Sequence, residues 1–205
     1  EWFHLIGLLH LEKFKLVGHK RQISSTSFSK SGDKILTSSF DGTTKIWNSI
    51  SKKEIITLQT GTKLSEITSA VFSNNGKWIA TGDSSFIRIW NANSGRDIRS
   101  INVSNLIISL QFSPDSRYVA AATSDRSIKV WETLTGRQIQ SIPGVDGPVV
   151  FSPNGRRIAT GSPFLWAPGT PGFGFRETAR IFDRSTGQAI MELRGHSSAV
   201  TSIAY

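Results

Sequence analysis

An all-β fold built from repeated four-stranded sheets is predicted by three observations. A strand rich in Ile, Val, Lys and Arg and ending in an aromatic recurs around Trp47, Trp90, Trp131 and Phe182, at spacings of 43, 41 and 51 residues, so one unit is copied four times. Each copy contains the same parts in the same order, and turn residues separate its short Ile/Val/Thr-rich runs at intervals of roughly 8 to 12 residues. No stretch shows a sustained helical period.

Within a unit, the first strand ends at Phe28, Phe72, Phe112 or Phe151 and runs straight into a tight reversal. Gly and Asn supply the positive-φ positions there, and Pro114 and Pro153 pre-set the entry angle. The second strand follows (Lys34 to Ser39 in the first unit), then a short loop, then the third strand with its aromatic. A second turn, at 51–54, 93–96, 134–137 and 185–188, leads to a short fourth strand. Four antiparallel strands cannot bury both faces alone, so each sheet must pack on the next copy, which predicts a radial stack: a β-propeller.

Gly18-His19, Phe28-Ser29, Gly32-Asp33, Asp41-Gly42 and Ile46-Trp47, in that order, resemble the pattern of the WD-repeat (WD40) family. The resemblance covers residues 16–193 as four units: 16–58, 59–101, 102–142 and 143–193. A fifth opens at 194–205. It implies that His19, Thr37, Asp41 and Trp47 form a buried hydrogen-bond chain, since a buried carboxylate and indole N–H each need a partner. The other units depart from that pattern. Thr62 stands where the second His would be and no Asp lies six residues before Trp90; Ala121 replaces the hydroxyl of the third unit beside Asp125 and Trp131; the fourth keeps only Thr160. These gaps predict weaker bracing in the later blades.

His, Thr and Asp can also make a nucleophilic triad, but no strained Gly-x-Ser-x-Gly elbow accompanies them, and a structural network accounts for all three. No catalytic residue is assigned. The four histidines, His4, His10, His19 and His196, have no zinc-ligand spacing, and the chain has no Cys. The glycine-rich stretch from Gly169 to Gly174 lacks the Lys and the strand-to-helix setting of a phosphate loop. No metal and no cofactor are therefore expected. The absence of Cys excludes disulfides and thiol chemistry and is compatible with a reducing, cytoplasmic setting. The longest apolar run, Leu5 to Leu9, is far short of the ~20 residues that span a bilayer, so no membrane segment is expected.

The chain carries 24 Lys and Arg against 15 Asp and Glu, a net +9. Lys45, Arg88, Lys129 and Arg180 each fall two residues before the third-strand aromatic, a structural position. Lys20-Arg21 enters the first strand, whereas Lys52-Lys53 and Arg156-Arg157 lie at turns on the opposite face. A phosphate-tracking surface would gather these doublets, so their separation argues against nucleic acid as the partner.

The resemblance implies a rigid, non-catalytic platform that binds a protein or peptide on the loops before the first strand and between the second and third. Positions four and six residues before each first-strand Phe, with the residue before the turn Asp, give Gln22, Ser24, Phe40, Glu66, Thr68, Leu106, Ile108 and Ser124. Phe40, Leu106 and Ile108 are apolar where solvent is expected. The extra residues of the fourth unit, 163–175, fall in the loop of the same face and present Leu165, Trp166, Phe173 and Phe175, either as a binding anchor or as packing over a blade that lacks its Asp and Trp. Alternative readings are a regulatory or sensor module of a larger signalling protein and a basic platform contacting nucleic acid. Residues 1–15 read as the tail of a preceding blade, and the whole as an excerpt of a larger propeller whose remainder would be its first partner.

Overall fold

The computed structural model describes residues 15–59, 66–145, 147–161, 179–196 and 200–205. Sixteen strands form four antiparallel sheets. The first blade comprises β1 (Ile23–Phe28), β2 (Lys34–Ser39), β3 (Thr43–Asn48) and β4 (Glu54–Gln59); the second, β5 (Ser69–Phe72), β6 (Trp78–Gly82), β7 (Phe86–Asn91) and β8 (Asp97–Asn102). The third holds β9 (Ile107–Phe112), β10 (Tyr118–Thr123), β11 (Ser127–Glu132) and β12 (Gln138–Pro143); the fourth, β13 (Val149–Phe151), β14 (Arg157–Thr160), β15 (Ala179–Asp183) and β16 (Ala189–Leu193). Every sheet is a simple meander in chain order. The described residues contain no helix, and so none long and apolar enough to cross a membrane.

Register explains the repeat. The first-strand Phe sits opposite a β-branched residue of the second strand, which sits opposite the third-strand aromatic: Phe28, Ile35 and Trp47; Phe72, Ile79 and Trp90; Phe112, Val119 and Trp131; Phe151, Ile158 and Phe182. Because side chains alternate across a strand, these three share one face of each sheet. That row packs on the opposite face of the preceding blade. Phe72, Ile79 and Trp90 meet Leu36, Ile46 and Leu58. Phe112, Val119 and Trp131 meet Ala80, Ile87, Ile89 and Ile101. Phe151, Ile158 and Phe182 meet Ala120, Ile128, Val130 and Ile142. Burying one such large side chain contributes about 1.5–3 kcal/mol, so the three junctions carry the core. Phe28, in the corresponding row of the first blade, is 65% exposed, whereas Phe112 is 3% exposed.

A bulge recurs where the third strand meets the fourth, between Ile46 and Trp47, Ile89 and Trp90, Val130 and Trp131, and Ile181 and Phe182. The same defect at the same aromatic in four copies marks it as part of the unit. Close approach between blades selects glycine at Gly82, where a Cβ would lie 2.6 Å from Ile107 Cγ2, and at Gly161, where it would lie 2.6 Å from Val200 Cγ1. Val200, five residues before Tyr205, thus seats on the fourth blade as Ile107, five before Phe112, seats on the second.

Candidate functional site

The first blade contains a complete polar chain. Trp47 Nε1 donates to Thr37 Oγ1 at 2.8 Å, Thr37 Oγ1 lies 2.8 Å from His19 Nε2, and His19 Nδ1 lies 3.1 Å from Asp41 Oδ2. A neutral imidazole with its proton on Nδ1 satisfies every link in one direction, from indole to hydroxyl to imidazole to carboxylate. Gly18 lets the loop come this close: a Cβ there would stand 3.0 Å from Trp47 Cη2. Asp41 also accepts from the Lys20 N–H at 2.7 Å, the Thr43 N–H at 2.9 Å and the Thr43 hydroxyl at 2.6 Å. Burial by itself would raise this carboxyl, but the bonds from Thr43, Lys20 and His19 override it and hold the pKa down at about 2. The Thr37 hydroxyl is buried and already shared between indole and imidazole, so it is placed to brace a sheet and not to attack a substrate.

The later blades are braced by different residues. In the second, Trp90 Nε1 donates to Thr81 Oγ1 at 2.9 Å, and Asp83, seven residues before Trp90, accepts from the Ser85 and Phe86 N–H groups at 2.8 and 2.7 Å and from Arg88 at 3.1 Å. Asp83 directly follows the end of β6, whereas Asp41 and Asp125 stand two residues past β2 and β10 and six before their tryptophans, so the spacing of the other blades misses it. In the third, Asp125 accepts from Thr123, Ser127, Asn105 and Lys129. Burial again opposes, while Lys129 and the two hydroxyls hold its pKa down at about 2. The four third-strand cations are all paired: Lys45 with Glu54 at 2.7 Å, Arg88 with Asp83 at 3.1 Å, Lys129 with Asp125 at 2.6 Å and Arg180 with Glu192 at 3.4 Å.

On the loop face, Leu106 and Ile108 are 43% and 40% exposed and flank the fully buried Ile107, so both point away from the blade junction. Gln22 and Ser124 are exposed, and Phe40 is half-buried. The Phe40 N–H donates to the Gln22 carbonyl at 3.1 Å, and the Ser124 N–H to the Leu106 carbonyl at 2.9 Å, which fixes the loops to the first strands. Glu66 pairs with Arg21 at 2.7 Å across the first two blades, and Arg21 also donates to the Phe40 carbonyl. Ser24 and Thr68 hold equivalent positions and do equivalent things: their hydroxyls donate to the Ile67 and Ile107 carbonyls of the next blade at 2.5 and 2.6 Å. Ile108 occupies that position in the third blade and carries no hydroxyl. In sequence the only signal is a hydroxyl four residues before Phe in the first two units; its acceptor on the next blade appears only in the fold. Thr62, Leu165, Trp166, Phe173 and Phe175 lie outside the described residues. Among the described residues no three of His, Cys, Asp and Glu converge as a metal site.

Successive antiparallel four-stranded sheets, packed face to face and tied by hydrogen bonds between their first strands, define a β-propeller repeat protein. A family profile described as WD domain, G-beta repeat matches residues 11–48, 53–91 and 96–132, and the chain belongs to that family. It is similar to the U3 small nucleolar RNA-associated protein 21 homolog of Schizosaccharomyces pombe, 32% identical over 130 residues that cover 62% of this chain and 14% of that protein. The serine-threonine kinase receptor-associated protein of Dictyostelium discoideum is 24% identical, covering 89% of this chain and 73% of that protein. THO complex subunit 3 of Arabidopsis thaliana is 27% identical over 127 residues, covering 60% of this chain and 39% of that protein. The chain thus spans only a small part of the first relative and under half of the third. WD-repeat proteins are generally interaction scaffolds within protein complexes and are typically non-enzymatic.

Proposed function

We propose that this chain is a non-catalytic scaffold that receives a protein or peptide on the loop face marked by Gln22, Ser24, Phe40, Glu66, Thr68, Leu106, Ile108 and Ser124. The observation that carries it is the exposure of Leu106 and Ile108 beside the buried Ile107, which places two large apolar side chains together on the rim. Such a patch is typical of a contact site. The exposed Arg21–Glu66 pair supplies a charged edge next to it, and Ser24 and Thr68 keep the blades beneath it in register. Loop 163–175, with Leu165, Trp166, Phe173 and Phe175, extends the same face in this reading. The names of two relatives, a complex subunit and a receptor-associated protein, agree with a protein partner for this chain as well.

The test replaces Leu106 and Ile108 with Asp and compares partners captured from native lysate with those of the unaltered chain, alongside thermal melts. Loss of a specific partner with an unchanged melt is the expected result. An unchanged partner set moves the contact elsewhere and removes this face from consideration.

A further inference from the structure

The two ends of the blades differ in charge in a way the sequence order conceals. Each meander sends its first and third turns to the end opposite the loop face. The turn residues 29–33, 49–53, 73–77, 92–96, 113–117, 133–137, 152–156 and 184–188 contain nine Lys or Arg against two Asp. The strand-end residues that flank these turns add two cations and four carboxylates, so the face stays positive. On the described loop face, five cations meet four carboxylates.

Pairing sharpens the contrast. The four third-strand cations are neutralised locally, and Arg21 on the loop face is held by Glu66. On the turn face, Lys30, Lys53, Lys77, Arg96, Arg117 and Arg156 have no carboxylate within ion-pair distance among the described residues. Of the carboxylates beside them, Glu54 is paired with Lys45 and Glu132 with Arg137, while Asp183 accepts from the Ser185 hydroxyl and the Thr186 N–H.

The face is also continuous. Lys34 reaches Asn93 of the next blade at 3.1 Å, Asn75 donates to Ser116 at 3.1 Å, and Gln140 donates to the Ser185 carbonyl at 3.1 Å. At the last junction the Arg184 guanidinium lies 4.3 Å from the Tyr118 ring centroid while its Nε donates to the Gly155 carbonyl at 2.9 Å; Arg117 lies over the same ring at 5.9 Å. A guanidinium held over an aromatic ring and fixed by a backbone carbonyl is pre-organised, with a planar fork for phosphate oxygens.

We propose that this turn face binds the sugar-phosphate backbone of single-stranded nucleic acid. Arginines beside aromatics on a continuous, under-neutralised surface match the way such strands are held. The separated doublets that argue against this from sequence are weighed by pairing: Arg21 is engaged within the loop face, and six cations without a carboxylate partner gather on the other side. An anionic membrane fits less well, because the apolar turn tips, Ile50 and Leu134, stand on non-adjacent blades. The contact is independent of the protein-binding face.

The test measures binding of fluorescein-labelled oligouridylate to the full chain by anisotropy across a salt series. It compares the unaltered chain with the triple variant Lys77→Glu, Arg117→Glu, Arg156→Glu and with Lys20→Glu on the loop face, each shown to melt alike. Expected are a Kd that rises steeply with salt, a loss of at least about tenfold in the triple variant with a salt slope shallower by about two, and no change for Lys20→Glu. Three results overturn the proposal: no binding at low salt, equal weakening by Lys20→Glu, or tighter binding of phosphatidylserine vesicles or polyglutamate than of oligouridylate.

Discussion

In the first blade the turn carboxylate reaches inward, through His19 to Thr37 and the Trp47 indole; in the third, Asp125 stays at the rim with Lys129, Asn105 and two hydroxyls. The side chain of Asp41 is 8% exposed and that of Asp125 is 35% exposed. Both blades fold to the same meander with the same register and the same bulge. The polar chain is therefore one of several ways to stiffen a sheet whose position is already set by apolar rows between blades. What differs is how much each brace contributes, because a bond to a charged group is worth most where water cannot replace it.

The largest expected effect is on Asp41. Asp41→Ala strips acceptors from the Lys20 and Thr43 amides, the Thr43 hydroxyl and His19, and destabilises by about 3 kcal/mol. Asp125→Ala, at a wetter site, costs about 1 kcal/mol. Urea unfolding of the two variants measures the gap, and equal losses would erase the distinction between the blades.

Acid gives the next contrast. With the folded pKa of Asp41 held at about 2 against an ordinary 3.8, its stabilisation is present in full above about pH 4 and is lost as pH falls through about 2. The amount is roughly 2 kcal/mol. Asp125 acts in the same direction, with its share reduced by solvent screening. Unfolding free energy followed from pH 5 to pH 2 falls in the unaltered chain, and Asp41→Asn flattens most of that fall.

Thr37→Val leaves both the Trp47 N–H and His19 Nε2 without a partner and costs about 2 kcal/mol, whereas Thr81→Val strands only the Trp90 N–H and costs about 1 kcal/mol. A melt series ranks them, and the reverse order would show that His19 finds another partner. The smallest change runs the other way. Ala121 holds the position of Thr37 in the third blade, and Ala121→Ser offers the Trp131 indole a hydroxyl, raising stability by up to about 1 kcal/mol. A lowered melting temperature would mean that the fully buried site has no room for the oxygen.

The repeat, its four strands and the identity of the row aromatics were legible in sequence because side-chain alternation and turn chemistry are local, and a local rule copied four times is hard to miss. His19, Thr37, Asp41 and Trp47 were legible through the resemblance to the WD-repeat pattern, which the first unit matches in full. Asp83 was not, since it stands one residue past β6 and seven before Trp90, where Asp41 and Asp125 stand two past their strands and six before their tryptophans. Ser24 and Thr68 stood out as surface positions, yet their hydroxyls are spent on the carbonyls of the next blade.

Sequence by itself determined the sheets: the spacing of Phe, Gly and Trp dictates where each strand starts, turns and pairs, all within about forty residues of one another. Only the tertiary structure decided which charges are neutralised, which hydroxyls join neighbouring blades and which face of the molecule is left positive. Those outcomes rest on distances between blades, and residues such as Arg184 and Tyr118, or Arg21 and Glu66, come within reach only once the sheets have packed.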